Sequence, residues 1–176
     1  MQIKKLRNVI PKSKKNPIPL RIKYLDPHLP PLEHIGGKNH SNWIDVRVTN
    51  RIKINGTLTP LNDEGTVTIP QGAYVQVYLG FALELPEGYE ADVRPRSSTF
   101  KATGLLQTNS AGVIDTTYCG NEDEWFVPFY ATREATLTKY DRIAQFRIQE
   151  VMPEVEFVTV HTLGNKNRRG HGSTGK

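Results

Sequence analysis

Apolar and polar residues alternate along this chain in short bursts separated by turn residues. Val75-Gln76-Val77 and Thr66-Val67-Thr68-Ile69 keep the two-residue period of a strand with one buried face. On this pattern strands are predicted at Leu20 to Leu25, Trp43 to Val48, Gly65 to Ile69, Tyr74 to Leu79, Glu90 to Val93, Trp125 to Tyr130, Arg142 to Gln149 and Glu156 to Val160. Pro70-Gln71-Gly72, Leu85-Pro86-Glu87-Gly88 and Met152-Pro153 interrupt the runs, since proline removes a ladder donor and glycine reaches turn conformations. No window of helical length holds a 3.6-residue period. Many short strands joined by Gly/Pro turns predict an all-β domain over residues 19–163, a sandwich or jelly roll. Leu25 to Ser41, rich in Pro, His and Gly, reads as an irregular loop. Residues 164–176 hold four glycines and no apolar side chain, which predicts a flexible tail.

Composition narrows the class. A length of 176 residues suits one domain, and the longest apolar runs fall short of a membrane span. The basic N-terminus lacks the apolar stretch of a secretory signal, so the expectation is a cytoplasmic protein with no membrane partner. The single cysteine, Cys119, excludes an internal disulfide and paired-cysteine zinc chemistry, leaving oxygen ligands for any metal. The net charge of +5 resides in residues 1–18, which carry six cations and no acid, so the remainder stands at −1. A short basic arm of this kind is more often a solvated extension than a specific reader of nucleic acid, and no specific nucleic-acid partner is expected. His28, His34 and His40 are read as solvated loop residues in preference to a metal site.

The densest chemical signal is Asn109-Ser110-Ala111-Gly112-Val113-Ile114-Asp115-Thr116-Thr117-Tyr118-Cys119-Gly120. It has the pattern of a tight hairpin that presents one carboxylate beside an apolar pair, with an aromatic three residues on. Asp115 next to Val113 and Ile114 is expected to be partly desolvated, which favours a general base towards bound water. An isolated aspartate at a turn is more often a turn-former. Pro95-Arg96-Ser97-Ser98 offers a guanidinium fork and two hydroxyls for phosphate oxygens, although alone it would pass for a polar turn. Arg168-Arg169-Gly170-His171-Gly172-Ser173-Thr174-Gly175 combines cations, hydroxyls and glycines that free main-chain amides for an anion, but lacks the lysine and the strand-to-helix setting of a P-loop.

Together and in order, these stretches resemble the five motifs of the trimeric dUTPase family, and the likeness is nearest to its Bacillus and phage members. The motifs match at Trp43-Ile44-Asp45-Val46, Pro95 to Ser98, Asn109 to Gly120, Asp141-Arg142-Ile143-Ala144-Gln145 and Arg168 to Gly175, over roughly residues 20–176. The resemblance implies a distorted jelly roll of the β-clip type, a homotrimer with shared active sites, and cleavage of dUTP to dUMP and pyrophosphate with Mg²⁺ on the triphosphate. Asp115 takes the position of the base that deprotonates water attacking the α-phosphorus. The main chain from Asn109 through Gly112, Val113 and Ile114 would read uracil, and Tyr118 would lie against deoxyribose and exclude a 2′-hydroxyl. Arg96, Ser97 and Ser98 would hold phosphates from a neighbouring subunit, and Gln145 would contact phosphate or water. Asp45 would touch magnesium through its water shell. Arg168 with Gly172, Ser173 and Thr174 would close over the triphosphate.

The tail departs from the family pattern, because phenylalanine usually precedes Gly-Ser-Thr-Gly and here the position is His171. Phe126, swinging from the loop after the third motif, is the candidate to cover uracil, with Trp125 as runner-up and His171 beside the phosphates. Two rivals share the scaffold. A dCTP deaminase needs a catalytic glutamate where this chain has Pro128, and a nucleotide-sensing regulatory protein would not need the Asp115 base.

Overall fold

The computed structural model describes residues 16–32 and 41–167. Thirteen strands and one short helix follow in chain order: β1 Arg21–Tyr24, β2 Ile44–Arg47, β3 Ile52–Ile54, β4 Thr57–Leu58, β5 Thr66–Ile69, β6 Tyr74–Tyr78, β7 Phe81–Glu84, β8 Tyr89–Pro95, α1 Thr99–Thr103, β9 Leu105–Gln107, β10 Gly112–Ile114, β11 Phe126–Ala131, β12 Ala135–Thr138 and β13 Arg142–Glu150. The expected all-β jelly roll is what forms. A four-stranded sheet in the order β10-β8-β13-β2 and a five-stranded sheet in the order β4-β3-β6-β11-β9 are accompanied by the pairs β1-β7 and β12-β5. Every pairing is antiparallel.

Alternation decides which faces meet. Val75 and Val77 on β6 are fully buried while Tyr74 is exposed, and Val67 and Ile69 on β5 point inward between Thr66 and Thr68. Trp125, Phe81, Phe129 and Phe146 are the largest fully buried side chains. Trp125 lies 5.4 Å from the Phe81 ring and 5.2 Å, edge-on, from Phe146, so one aromatic knot ties β7, the start of β11 and β13. Each ring of this size removes about 150–250 Å² from water, so the knot buries a large share of apolar surface in one place.

Two expectations are corrected. Glu156 to Val160 is not a strand: it has no partner strand among the described residues, and its side chains are exposed. The third motif is not a self-paired hairpin either. β9 adds to β11 in one sheet while β10 adds to β8 in the other, so Asn109 to Ala111 turn a corner between sheets, with Ser110 at φ 55°. Strands β3, β4, β7, β9 and β12, two to four residues long, are not among the predicted strands. Residues 1–15, with the basic arm, and His34 and His40 lie outside the described residues.

Candidate active site

The corner between the sheets opens a cleft of about 320 Å³. One wall is β10, an edge strand whose only sheet neighbour among the described residues is β8, with Gly112 opposite Val93 and Ile114 opposite Ala91. A Cβ on Gly112 would come within 3.2 Å of the Val93 Cβ, so glycine lets the strand sit close. The outer edge of β10 therefore presents main-chain amides and carbonyls to the cleft. Gln107 closes the back of it. Its Nε2 donates to Val93 O at 3.1 Å and to Asn109 Oδ1 at 2.8 Å, and its Oε1 is buried with no partner among the described residues. A buried acceptor left open costs stability unless a ligand or water fills it.

Asp115 follows β10 and is exposed. The expected desolvation is not what tunes it. Thr117 donates from its hydroxyl at 2.5 Å and its main-chain N–H at 2.8 Å to the same oxygen, Oδ1, and these two bonds hold the carboxyl below the usual aspartate range. Val113 projects to solvent and Ile114 is only half-buried, so neither forms an apolar pocket around the acid. The carboxylate is poised in its charged form, with no hydrogen bond to Oδ2 among the described residues.

Tyr118 forms the opposite wall. Its hydroxyl donates to Glu124 O at 3.1 Å, and burial pushes its phenol up, with Asp123 adding to the effect, so the donor proton stays in place. Phe126, the first residue of β11, lines the same cleft with its ring tilted on Tyr78 at 5.4 Å. Trp125 is fully buried in the aromatic knot and is no candidate to cover a base. Phe126 is itself built into a strand, paired with Tyr78, and so forms part of the wall in place of a swinging loop side chain. Pro128, where a deaminase would need its glutamate, pairs with Gln76 inside β11, and Glu124 has both carboxylate oxygens occupied by Gly80 N–H and Arg51.

Asp45, Arg96 and Gln145 form a second cluster. β13 lies between β2 and β8, with Gln145 opposite both Asp45 and Arg94, which brings three motifs distant in sequence into one sheet. Arg96 Nε donates to Asp45 Oδ1 at 2.8 Å and Arg142 Nη1 to Asp45 Oδ2 at 3.0 Å, while Gln145 Nε2 donates to Pro95 O at 3.2 Å. Ser97 and Ser98 are exposed just before α1. Thr99, which the sequence does not single out, fastens this corner: its hydroxyl donates to Ile143 O at 2.8 Å and accepts the Arg96 N–H at 3.1 Å. Sequence reasoning also passes over Arg142 as a site residue, although its place in the fourth motif beside Asp141 is the available signal.

Asp45, Arg96 and Gln145 share no hydrogen bond or ion pair with Asp115 or Tyr118 within the described chain. Arg168, His171, Gly172, Ser173 and Thr174 lie outside the described residues. Among the described residues no cluster of three or more His, Cys, Asp or Glu could enclose a metal, and no helix is long and apolar enough to cross a membrane.

Comparison with known proteins gives this geometry a family. The dUTPase family model matches residues 61–176. The SPbeta prophage-derived deoxyuridine 5'-triphosphate nucleotidohydrolase of Bacillus subtilis is 46% identical over 89% of this chain and 97% of its own length. The deoxyuridine 5'-triphosphate nucleotidohydrolase of Hydrogenobaculum is 43% identical over 57% of this chain and 70% of its own. Among solved structures, the dUTPase of Staphylococcus bacteriophage 80alpha with dUPNHPP superposes with a TM-score of 0.65 over 90% of this chain and 99% of that one, at 18% identity, and so speaks to the fold alone. A mutant dUTPase from phage phi11 of S. aureus, described with a structural Mg(II) ion, gives a TM-score of 0.60 over 82% and 99%, at 16% identity. With two thirds of the chain under the family model, a long relative at nearly half identity and the shared jelly roll, the protein belongs to the dUTPase family.

Proposed function

We propose that this protein hydrolyses dUTP to dUMP and pyrophosphate, with Asp115 as general base. Family membership and the names of its relatives support dUTP hydrolysis; the observation that carries the assignment to residues is the free edge of β10 leading directly into a charged, hydrogen-bonded Asp115. Uracil offers acceptor, donor and acceptor along one edge, the complement of a strand edge that alternates amides and carbonyls, whereas cytosine carries a donor and an acceptor in the reverse sense at two of those positions. Tyr118 packs against deoxyribose and leaves no room for a 2′-hydroxyl, and Phe126 faces the base. Asp115 takes a proton from water as the oxygen attacks the α-phosphorus. The bond from that phosphorus to the bridging oxygen breaks, and pyrophosphate leaves with the electron pair.

Arg96, Ser97, Ser98 and Gln145 hold the phosphates in this reading, and Arg168, His171, Gly172, Ser173 and Thr174 complete the enclosure from the tail. The donor set fits Mg²⁺ only as an outer-sphere ion, since Asp45 is a lone carboxylate whose oxygens retain lone pairs beside Arg96 and Arg142. When bound on the triphosphate, the ion would neutralise charge on the leaving group.

The lack of any hydrogen bond or ion pair between the Asp45–Arg96–Gln145 cluster and Asp115 among the described residues supports a shared site in a homotrimer, each cleft completed by a neighbour's arginine. Exposed Met152, Phe157, Val158 and Leu163 on the extended C-terminal segment support the same assembly, because a run of bare apolar side chains marks an interface. Incubation with dUTP, UTP and dCTP and identification of products tests the function. Only dUTP is expected to be cleaved, to dUMP and pyrophosphate, with Asp115→Asn lowering turnover by a factor on the order of 10² or more while binding stays within about tenfold. Deamination of dCTP, or near-native turnover in Asp115→Asn, would sink the assignment.

A further inference from the structure

Glu124 is a carboxylate that the proposed reaction does not use, yet it is buried and fully engaged. Its Oε1 accepts the Gly80 N–H at 2.8 Å, its Oε2 accepts Arg51 Nη1 in a short contact, and its own main-chain oxygen accepts the Tyr118 hydroxyl at 3.1 Å. Arg51 reaches further: its guanidinium lies 4.3 Å over the Tyr78 ring, the ring on which Phe126 rests at 5.4 Å. One ion pair therefore sits behind both aromatic walls of the cleft, and neither of its residues lines it. We propose that the Arg51–Glu124 pair is a positioning device for the nucleotide cleft, holding Tyr118 through the Glu124 main chain and Phe126 through Tyr78, and so setting the affinity for dUTP and the preference for deoxyribose over ribose. This rests on the reading that Tyr118 meets the sugar and Phe126 the base.

Hydrogen bonds around the pair tie it to the neighbouring main chain. Gly80 has φ 76°, and a Cβ there would meet Thr49 Cγ2 at 2.8 Å, so only glycine fits where the main chain offers its amide to Glu124. Thr49 Oγ1 donates to Tyr78 O at 2.7 Å and accepts the Arg51 N–H at 3.3 Å, and the Tyr78 N–H returns to Arg51 O at 3.1 Å. Leu79 N–H to Trp125 O at 2.8 Å and Trp125 N–H to Phe81 O at 3.0 Å fix the residue after Glu124. Glu124 is buried but Arg51 is half exposed, and a pair of this kind adds little net stability, so its use here is geometric: it selects one arrangement of the walls. The acidic run Glu122, Asp123, Glu124 thereby divides its labour. Glu122 meets Lys23 at the surface at 2.9 Å, Asp123 Oδ2 accepts the Gly120 N–H at 2.6 Å, and Glu124 alone of the three turns inward.

Glu124→Gln keeps the shape but can satisfy only one side, because an amide presents its NH₂ either to Gly80 N–H or to Arg51. Arg51→Lys keeps the charge for Glu124 but loses the flat stack on Tyr78. The test is full-chain kinetics with dUTP and UTP for these two variants, Tyr118→Ala and the native protein. Glu124→Gln is expected to raise KM for dUTP and to narrow the dUTP/UTP ratio of kcat/KM, each by roughly fivefold or more, with kcat for dUTP within about twofold of native, since misplaced walls weaken binding without touching the base. Arg51→Lys is expected to raise KM for dUTP similarly. A pair with a purely structural role would lower Tm on disruption and leave KM and the ratio native; that result in Glu124→Gln overturns the proposal. If Glu124→Gln does not fold, Arg51→Lys decides by its KM, and a native value overturns the proposal. Tyr118→Ala separates the two layers of argument. A narrowed ratio there beside a native ratio in Glu124→Gln removes the positioning role and spares the sugar reading, whereas an unchanged ratio in Tyr118→Ala removes both.

Discussion

Thr117 places two donors on one oxygen of Asp115, and the effect is a carboxylate held in its charged form without being buried. The sign follows from the cause. Hydrogen bonds to the charged form depress the pKa, so the carboxylate persists to lower pH, and removing a donor must raise the pKa again. Thr117→Val deletes the hydroxyl but keeps the main-chain N–H. The acid limb of kcat/KM, which reports the free enzyme, is therefore expected to move to higher pH in this variant, towards the ordinary carboxylate range and short of full recovery. A pH–rate profile with an unmoved acid limb would show that Thr117 does not tune the base. Among single residues, the sequence locates Asp115 but misjudges its surroundings. Val113 and Ile114 look like a desolvating pair, yet on an edge strand one projects to solvent and the other is only partly covered. Exposure is a property of neighbours in space, which two adjacent letters do not specify.

Adjacent residues at the start of an element can have different roles, as Trp125, just before β11, and Phe126, its first residue, show. Trp125 is fully buried in the knot with Phe81 and Phe146, whereas Phe126, the first residue of β11, is only partly buried, with its ring on Tyr78 and along the cleft. Trp125→Ala is expected to cost about 3–5 kcal/mol, the usual loss for a large core aromatic, and Phe126→Ala less than about 2 kcal/mol because that ring is only partly buried. Phe126→Ala should also raise KM for dUTP at a temperature where it remains folded. Denaturant melts and initial-rate kinetics check both, and equal destabilisation by the two variants would make Phe126 a core residue with no part in the cleft. Element positions are legible where alternation stands between clear breakers, as in β5, β6 and β13. The same reading places a strand at Glu156 to Val160, where the pattern is present but no partner strand exists among the described residues. A strand needs a ladder to satisfy its amides, and a pattern alone does not supply one.

Across the molecule, the Asp45–Arg96–Gln145 cluster and Asp115 share no hydrogen bond or ion pair among the described residues, and the apolar side chains between Val151 and Leu163 lie bare, with Phe157 94% exposed. Both features are accounted for if neighbouring copies complete each cleft and cover the segment. Sedimentation is expected to show a trimer, and deletion of residues 165–176 to leave that trimer folded with turnover lowered by a factor on the order of 10² through loss of the residues proposed to enclose the triphosphate. Arg96→Ala and Asp115→Asn, each nearly inactive alone, should regain activity when unfolded and refolded together, because a mixed trimer can hold one intact site. A monomer in sedimentation, or no recovery on mixing, would contradict the shared site. The all-β class and the five ordered motifs that point to the dUTPase family are readable from the residues alone, since strand period, turn residues and local functional groups are all written in short windows. Three-dimensional packing was needed to establish that Asn109 to Ile114 bridges two sheets, that Gln145 stands beside both Asp45 and Arg94, and that Arg51 and Glu124 meet behind the cleft across a separation of 73 residues. Those outcomes depend on which strands become neighbours. Sheet pairing is set by burial of whole faces against one another, a long-range competition in which no short window holds the answer.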